Sequence, residues 1–303
     1  MNGKILILTD GKAGHENQSK AFARALGCDF EIVPVAFRSK AAKALSYVLD
    51  RIGVRTSLLW RAELKGVERP IAVIGTGSGT FYAAKSLANR LGVKCGVVLY
   101  PRGYDIASFD CILAPAFDRP PAAPNVIEIP ANLVATDAAF YAKGVEAFRE
   151  KTSVVPEVAV IVGGPNKCST MTSAWMKERL DEIFKLPGQK AVTTSRRTPP
   201  EVEALVDSYP WDYKLIYSRD HFNPIPAFVQ LAKKLFVTAE STGMLSESCT
   251  FGTAEVVALD NLNPGPHKFR QFVEDLRAGG YVDGTRKVDL SGQFAAARNL
   301  MGL

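Results

Sequence analysis

Four polar stretches hold the residue types that could do chemistry. The first is Thr9-Asp-Gly-Lys-Ala-Gly-His-Glu-Asn-Gln18, which gathers a carboxylate, an imidazole and two amides just after an apolar run. Gly11 and Gly14 permit a tight turn and a close backbone approach. His15 could act as a base or bind a hydroxyl or phosphate, and either His15 or Asp10 could orient or deprotonate an acceptor hydroxyl. The spacing fits neither GxGxxG nor GxxxxGK(S/T), and a capping histidine on a surface turn is the plainer alternative. The second stretch is Gly75-Thr-Gly-Ser-Gly79, whose small residues suit a nest around a ligand or simply a tight strand-to-helix turn. Nearby Arg102 could meet an anion.

The third stretch is Gly163-Gly-Pro-Asn-Lys167, followed by Ser169, Thr170 and Thr172. Two glycines ahead of a lysine suggest a diphosphate neighbour, while Pro165 and the missing GK(S/T) argue against a triphosphate loop. Close behind comes Thr193-Thr-Ser-Arg-Arg-Thr-Pro-Pro200, where Ser195 and Arg196 lie in an anion-oriented junction ahead of a helix. The fourth is Val237-Thr-Ala-Glu-Ser-Thr-Gly-Met-Leu-Ser-Glu247. Ser241, Thr242 and Gly243 open a helix whose free N–H groups could wrap a phosphate. Glu247, one to two turns further on, has reach for paired ribose hydroxyls. The alternative is that Glu240 and Ser241 only cap that helix.

These stretches gain meaning from the elements that carry them. Short apolar runs alternate with helix-length segments almost throughout, the pattern of parallel sheets covered by helices. Strands are expected at 4–9, 29–35, 70–76, 94–100, 109–115 and 126–130, then at 157–163, 189–195, 213–218, 234–239 and 254–260. Helices are expected at 16–26, 40–50, 57–64, 78–91 (capped by Ser78) and 136–149, then at 172–185, 199–207, 225–232, 241–251, 266–278 and 291–301. The pattern restarts after the charged segment 149–156. It therefore predicts two α/β domains, 1–152 and 153–303, with the last helix packing back on the first.

The chain has 303 residues, of which 47% are apolar and 22% charged, with a formal net charge of +6. That is ordinary globular composition. Basic residues come in scattered pairs without interleaved aromatics, which excludes a nucleic-acid surface as the expected partner. The five cysteines include no CxxC pair, so neither a zinc site nor a disulfide scaffold is expected. No HExxH or GxSxG occurs, and no metal site is predicted. No apolar run reaches the length of a membrane span, and a cytoplasmic protein is expected. A basic stretch at 38–51 (Arg38, Lys40, Lys43 and Arg51 with Leu45, Val48 and Leu49) could touch an anionic membrane, or form a solvated helix.

The motifs Asp10–Gln18, Val162-Gly-Gly-Pro165, Thr193–Pro199 and Phe236–Glu247, with Lys268-Phe-Arg-Gln-Phe272, together resemble the ELM1-like family. That family is named for a plant mitochondrial fission factor and is widespread in bacteria. Its members resemble GT-B glycosyltransferases and UDP-GlcNAc 2-epimerases. The resemblance implies an α/β protein of two Rossmann-like domains facing across a cleft, GT-B-like, with a nucleotide sugar, UDP-linked by preference, as substrate and no separate cofactor. Carried over, Gly14 and His15 lie in the loop toward acceptor and diphosphate. Ser195 and Arg196 lie by the diphosphate, Ser241 and Thr242 at the phosphate-binding helix, and Glu247 at the ribose, while Pro165-Asn-Lys167 departs from the family pattern. In a transfer reaction Arg196, Lys167 and the 241–243 helix end would stabilise charge on the leaving diphosphate. His15 and Asp10 would be catalytic. The implied activity is sugar transfer to an unidentified acceptor, with epimerisation on the same site or a non-catalytic recruiting role as alternatives, in a monomer or dimer.

Overall fold

The structure is a computed structural model that describes residues 3–303. It falls into two compact units, one running to Ala135 and including Asp289–Leu303, the other spanning Thr136–Val288.

The first unit is built on a seven-stranded sheet of β1 (Ile5–Thr9), β2 (Phe30–Phe37), β3 (Trp60–Ala62), β4 (Ala72–Thr76), β5 (Lys94–Val98), β6 (Cys111–Pro115) and β7 (Val126–Ile129). Its order is β3-β2-β1-β4-β5-β6-β7, parallel except where β3 runs against β2. β1, β4 and β6 are buried along their whole length, as strands covered on both faces must be. Helices α1 (Ala13–Ala25), α2 (Lys40–Arg51) and α3 (Phe81–Leu91) connect the strands.

Residues 57–64, expected as a helix, instead form a turn and the antiparallel edge strand β3. Leu59 and Trp60 are buried, and the pairing of Phe37 with Trp60 uses backbone groups a helix would consume. Helix α1 also begins earlier than expected, so Gly14 and His15 lie within its first turn. Ser78 does not cap α3. The helix starts after Thr80, and the Ser78 hydroxyl accepts from Lys43 Nζ at 2.9 Å.

The second unit has a five-stranded parallel sheet of β8 (Val158–Ile161), β9 (Lys190–Thr193), β10 (Tyr213–Leu215), β11 (Lys234–Thr238) and β12 (Glu255–Leu259), in the order β10-β9-β8-β11-β12. Its helices are α4 (Ala138–Lys151), α5 (Ser173–Ile183), α6 (Pro200–Ser208), α7 (Ile225–Leu231), α8 (Thr242–Thr250) and α9 (Lys268–Ala278). The division falls at 135/136 rather than 152/153 because α4 packs on α7, with Gly144 against Pro226. The terminal helix α10 (Ser291–Met301) packs on β5, β6 and β7, and Arg298 Nε donates to the Ala25 carbonyl at 2.8 Å.

Each sheet reverses its strand order once near the middle, at β1/β4 and at β8/β11. Outside the carboxyl ends of such strands the adjoining loops diverge and leave a crevice for ligands. All four polar stretches lie at the carboxyl ends of the strands that flank these two reversals, and the 193–200 segment lies one strand further out, after β9.

Candidate functional site

At the β1/β4 reversal, Asp10 and His15 meet. His15 Nδ1 lies 3.1 Å from both Asp10 carboxylate oxygens. An N–H donated from Nδ1 leaves Nε2 with its lone pair, the state a general base requires. Lys12 Nζ adds an ion pair to Asp10 at 3.1 Å. Burial pushes the Asp10 carboxyl up, but the Lys12 hydrogen bond and the neighbouring His15 outweigh it, leaving the group below the usual range. The dyad is largely shielded, with side-chain exposures of 10% for Asp10 and 22% for His15.

Of the 75–79 glycines, Gly77 and Gly79 make room for this dyad, and Gly75 makes room for Thr80. A Cβ on Gly77, whose φ is +82°, would stand 2.3 Å from His15 Cε1, and one on Gly79 2.7 Å from Asp10 Cβ. Gly14 is different, since a Cβ there would meet nothing within 4 Å. Beside Asp10 opens a cavity of about 640 Å³ floored by Pro34, Val35 and Ala36, with Arg61 and Glu63 on its wall.

At the β8/β11 reversal the organiser is Glu240, which sequence reasoning cast as a helix cap. It is 2% exposed. Its Oε1 accepts the Gly164 amide at 2.7 Å and the Thr238 hydroxyl at 3.1 Å, and its Oε2 accepts Asn261 Nδ2 at 2.8 Å. The Gly163 amide donates to Thr238 Oγ1 at 2.8 Å. Both glycine amides therefore point into the protein, and the expectation that this pair faces a diphosphate is corrected. The glycines are there for packing. A Cβ on Gly163 would lie 2.0 Å from Glu240 Oε1, and one on Gly164 2.1 Å from the Arg197 carbonyl oxygen.

The Gly163-Gly164 turn is thus clasped between the loop after β9 and the loop after β11. In the β9 loop, Thr198 Oγ1 accepts the Ser195 amide at 2.8 Å and donates to the Gly163 carbonyl at 2.6 Å. That turn holds Ser195 half-buried and presents Arg196 and Arg197 to solvent, where neither forms an ion pair with a described residue. Lys167 is likewise exposed, in the turn that Asn166 and Ser169 close.

Helix α8 starts at Ser241, a residue type that usually caps, yet its side chain makes no capping bond. The first intrahelical bond runs from the Leu245 amide to the Ser241 carbonyl at 3.0 Å, so the amides of Thr242, Gly243 and Met244 precede the ladder. Gly243 is exposed, and a Cβ there would meet nothing within 4 Å. Capping by Glu240 or Ser241 is therefore not what this sequence does.

One turn further in, the Tyr141 hydroxyl donates to Glu247 Oε1 at 2.8 Å. Burial pushes the Glu247 carboxyl up, and the Tyr141 bond only partly offsets it. Tyr141 itself is 1% exposed and packs on Phe251 with ring centroids 4.4 Å apart. Neither Tyr141 nor Glu240 was singled out from sequence as a site residue. Glu240's only local signal was a carboxylate directly after a buried strand.

Comparison with known proteins decides the family. The chain matches the mitochondrial fission ELM1 family over residues 13–296. It belongs to that family. It is 24% identical to the Arabidopsis thaliana protein named mitochondrial fission protein ELM1, over 92% of this chain and 83% of that one. Among solved structures, the Neisseria meningitidis UDP-GlcNAc 2-epimerase bound to UDP-GlcNAc aligns with a TM-score of 0.52 at 12% identity, covering 99% of this chain and 98% of that one. Arabidopsis thaliana UGT89C1 complexed with UDP aligns at 0.54 and 10% identity, covering 99% and 90%. Acinetobacter baumannii MurG aligns at 0.51 and 14% identity, covering 99% and 92%. The ELM1-family fold is thus that of GT-B glycosyltransferases and UDP-GlcNAc 2-epimerases, with two Rossmann-like domains. Among the described residues no cluster of three or more His, Cys, Asp or Glu could hold a metal ion, and no helix is long and apolar enough to cross a membrane.

Proposed function

We propose that the second unit binds a nucleoside diphosphate sugar, UDP-linked by preference, and that the protein transfers the sugar to an acceptor hydroxyl. The reading rests on one observation above all: a serine-headed helix whose first turn is left uncapped, beside a glycine with open space around it. Such a terminus offers unpaired N–H groups and the positive end of the helix dipole to phosphate oxygens. Arg196 and Lys167 supply unpaired charge, and Ser195, Thr242 and Ser241 supply hydroxyls. Glu247, steadied by Tyr141, is assigned to the ribose hydroxyls.

In the transfer step the acceptor oxygen attacks the anomeric carbon while the bond from that carbon to the diphosphate breaks. The acceptor proton passes to His15 Nε2, with Asp10 stabilising the imidazolium, and the nucleoside diphosphate leaves. Cations and helix dipole stabilise the charge developing on the leaving group. The cavity beside Asp10 is the proposed acceptor pocket. Epimerisation is the rival reading, favoured by the equal likeness to an epimerase fold, and it would yield product without any acceptor. A non-catalytic recruiting role, suggested by the fission name of the plant relative, predicts no turnover with any donor.

The test is calorimetric titration with UDP, GDP and CMP alongside thermal-shift measurements. UDP should bind and raise the melting temperature, and Arg196→Ala should weaken it by about tenfold, the effect expected for a charge-assisted phosphate contact. A folded protein that shows neither heat nor shift with any of the three would refute the reading.

A further inference from the structure

Helix α2 of the first unit carries apolar residues on two sides: Ala42, Tyr47 and Leu49 pack on the core, and a second set faces outward. Its polar Ser46 and Asp50 are buried, at 0% and 1% exposure, while Leu45, Val48 and the C-cap Ile52 are 45%, 57% and 67% exposed. Positions 41, 45, 48 and 52 recur at helical spacing, so Ala41, Leu45, Val48 and Ile52 make one outward apolar stripe. Val54 and Leu58 extend it, Leu58 being 77% exposed, before Leu59 and Trp60 turn into the core.

The inward face holds two fully buried polar residues among its core contacts, each with its own partners. Asp50 accepts Lys85 Nζ at 2.9 and 3.0 Å, pairs with Arg55 at 3.2 Å and accepts the Asp105 amide at 2.6 Å. Ser46 bonds the Tyr104 hydroxyl at 2.9 Å. The helix cannot rotate its leucine and valine inward without burying unpaired charge. Their exposure is therefore built in.

Charge selects what covers this face. Arg38, Lys40, Arg51 and Arg61 are exposed along the same segment. Between residues 38 and 61 the one carboxylate is Asp50, sealed beneath the helix by Lys85 and Arg55. Bulky apolar side chains bordered by cations, with no exposed carboxylate among them, match the interface of an anionic bilayer. A second copy of the chain fits poorly, because a two-fold contact would set the same cations against one another.

We propose that α2 and the 52–61 segment form a peripheral membrane-docking face, with Leu45, Val48, Ile52 and Leu58 entering the headgroup–acyl boundary and the flanking cations meeting anionic phospholipid. This inference stands independently of the nucleotide-sugar reading.

The test is flotation of the full chain with vesicles of phosphatidylcholine alone and of phosphatidylcholine mixed with phosphatidylglycerol. The chain should float with the mixed vesicles, less so at raised salt, and weakly with phosphatidylcholine alone. The triple variant Val48→Glu, Ile52→Glu, Leu58→Glu changes only exposed positions. It should keep the melting temperature and lose binding on the order of tenfold or more. Failure of the parent chain to float with the mixed vesicles would overturn the proposal, as would a triple variant that floats equally well. So would a parent chain that ignores both vesicles but sediments as a dimer which the triple variant splits, since the face would then join two copies.

Discussion

The Tyr141 hydroxyl sits between Glu247 Oε1 at 2.8 Å and Thr136 Oγ1 at 2.9 Å, so the proposed ribose carboxylate is held by a buried phenol rather than by a cation. A carboxylate steadied in this way stays costly to ionise. Its folded-state pKa is raised, so at neutral pH its charge opposes folding instead of supporting it.

Glu247→Gln should therefore stabilise the protein while harming the site. The amide oxygen can still accept from Tyr141, and the ionisation penalty is gone. A melting-temperature rise of about 2–4 °C is expected, the shift that roughly 1 kcal/mol produces in domains of this size. UDP affinity should fall by about tenfold as a charge-assisted contact is lost. In the parent chain, affinity should weaken on acidification while the pH is still above the usual glutamate range, whereas the glutamine variant should show no such step. A variant that melts lower and binds UDP normally would contradict the assignment.

The glycines separate by the same logic. Gly164→Ala drives a methyl into the Arg197 carbonyl, a backbone atom that cannot step aside, and should cost about 3 kcal/mol or more. Gly243→Ala meets only open space and should stabilise the first turn of α8 by up to about 1 kcal/mol. If phosphate lies against that turn, the same alanine weakens UDP binding. Chemical denaturation and calorimetry on both variants check the pair. Equal stability losses would mean that the turn around Gly243 is packed after all.

These distinctions show where legibility from sequence ends. The alternation of apolar runs and helices placed nearly every strand, because burial on both faces writes itself into local composition. The helix start at Ser241 is also recognisable from its residue types, whereas α1 begins ahead of its expected start because the glycine-containing turn before it reads as loop. The reason for each glycine is not recognisable, because Gly77 answers to His15 and Gly163 to Glu240, partners 62 and 77 residues away. Glu240 reads as a cap because its neighbours in sequence are helix starters, while its partners Gly164 and Asn261 come from the loops after β8 and β12. The edge strand β3 escaped for a related reason: only its pairing with β2 defines it.

The buried Lys85–Asp50 pair offers a test of what holds the first unit together. Desolvation lowers the Lys85 pKa, and the Asp50 carboxylate restores part of it. Lys85→Met would leave Asp50 with Arg55 and one backbone amide, and should destabilise by about 3–5 kcal/mol, the usual cost of breaking a buried pair from one side. Lys85→Met combined with Asp50→Asn should recover part of that loss. Urea denaturation of the three variants checks the order, and a double variant no better than the single one would show that packing, not charge, dominates.

Asp10→Asn isolates the proposed base. The carboxylate accepts from His15 Nδ1 and so fixes the tautomer that leaves Nε2 free. An asparagine can instead donate to Nδ1, which puts the proton on Nε2 and removes the lone pair the acceptor hydroxyl needs. Release of UDP from UDP-GlcNAc in the presence of acceptor should fall by about 10²–10³, within the range of lost general-base catalysis. UDP binding, assigned wholly to the second unit, should be unchanged by calorimetry. Because the Asp10 carboxyl is held below the usual carboxylate range, loss of its charge should not limit turnover until the pH falls below that range. Turnover within about twofold of the parent would remove the dyad from the mechanism, while unchanged turnover with weakened UDP binding would place Asp10 in donor recognition instead.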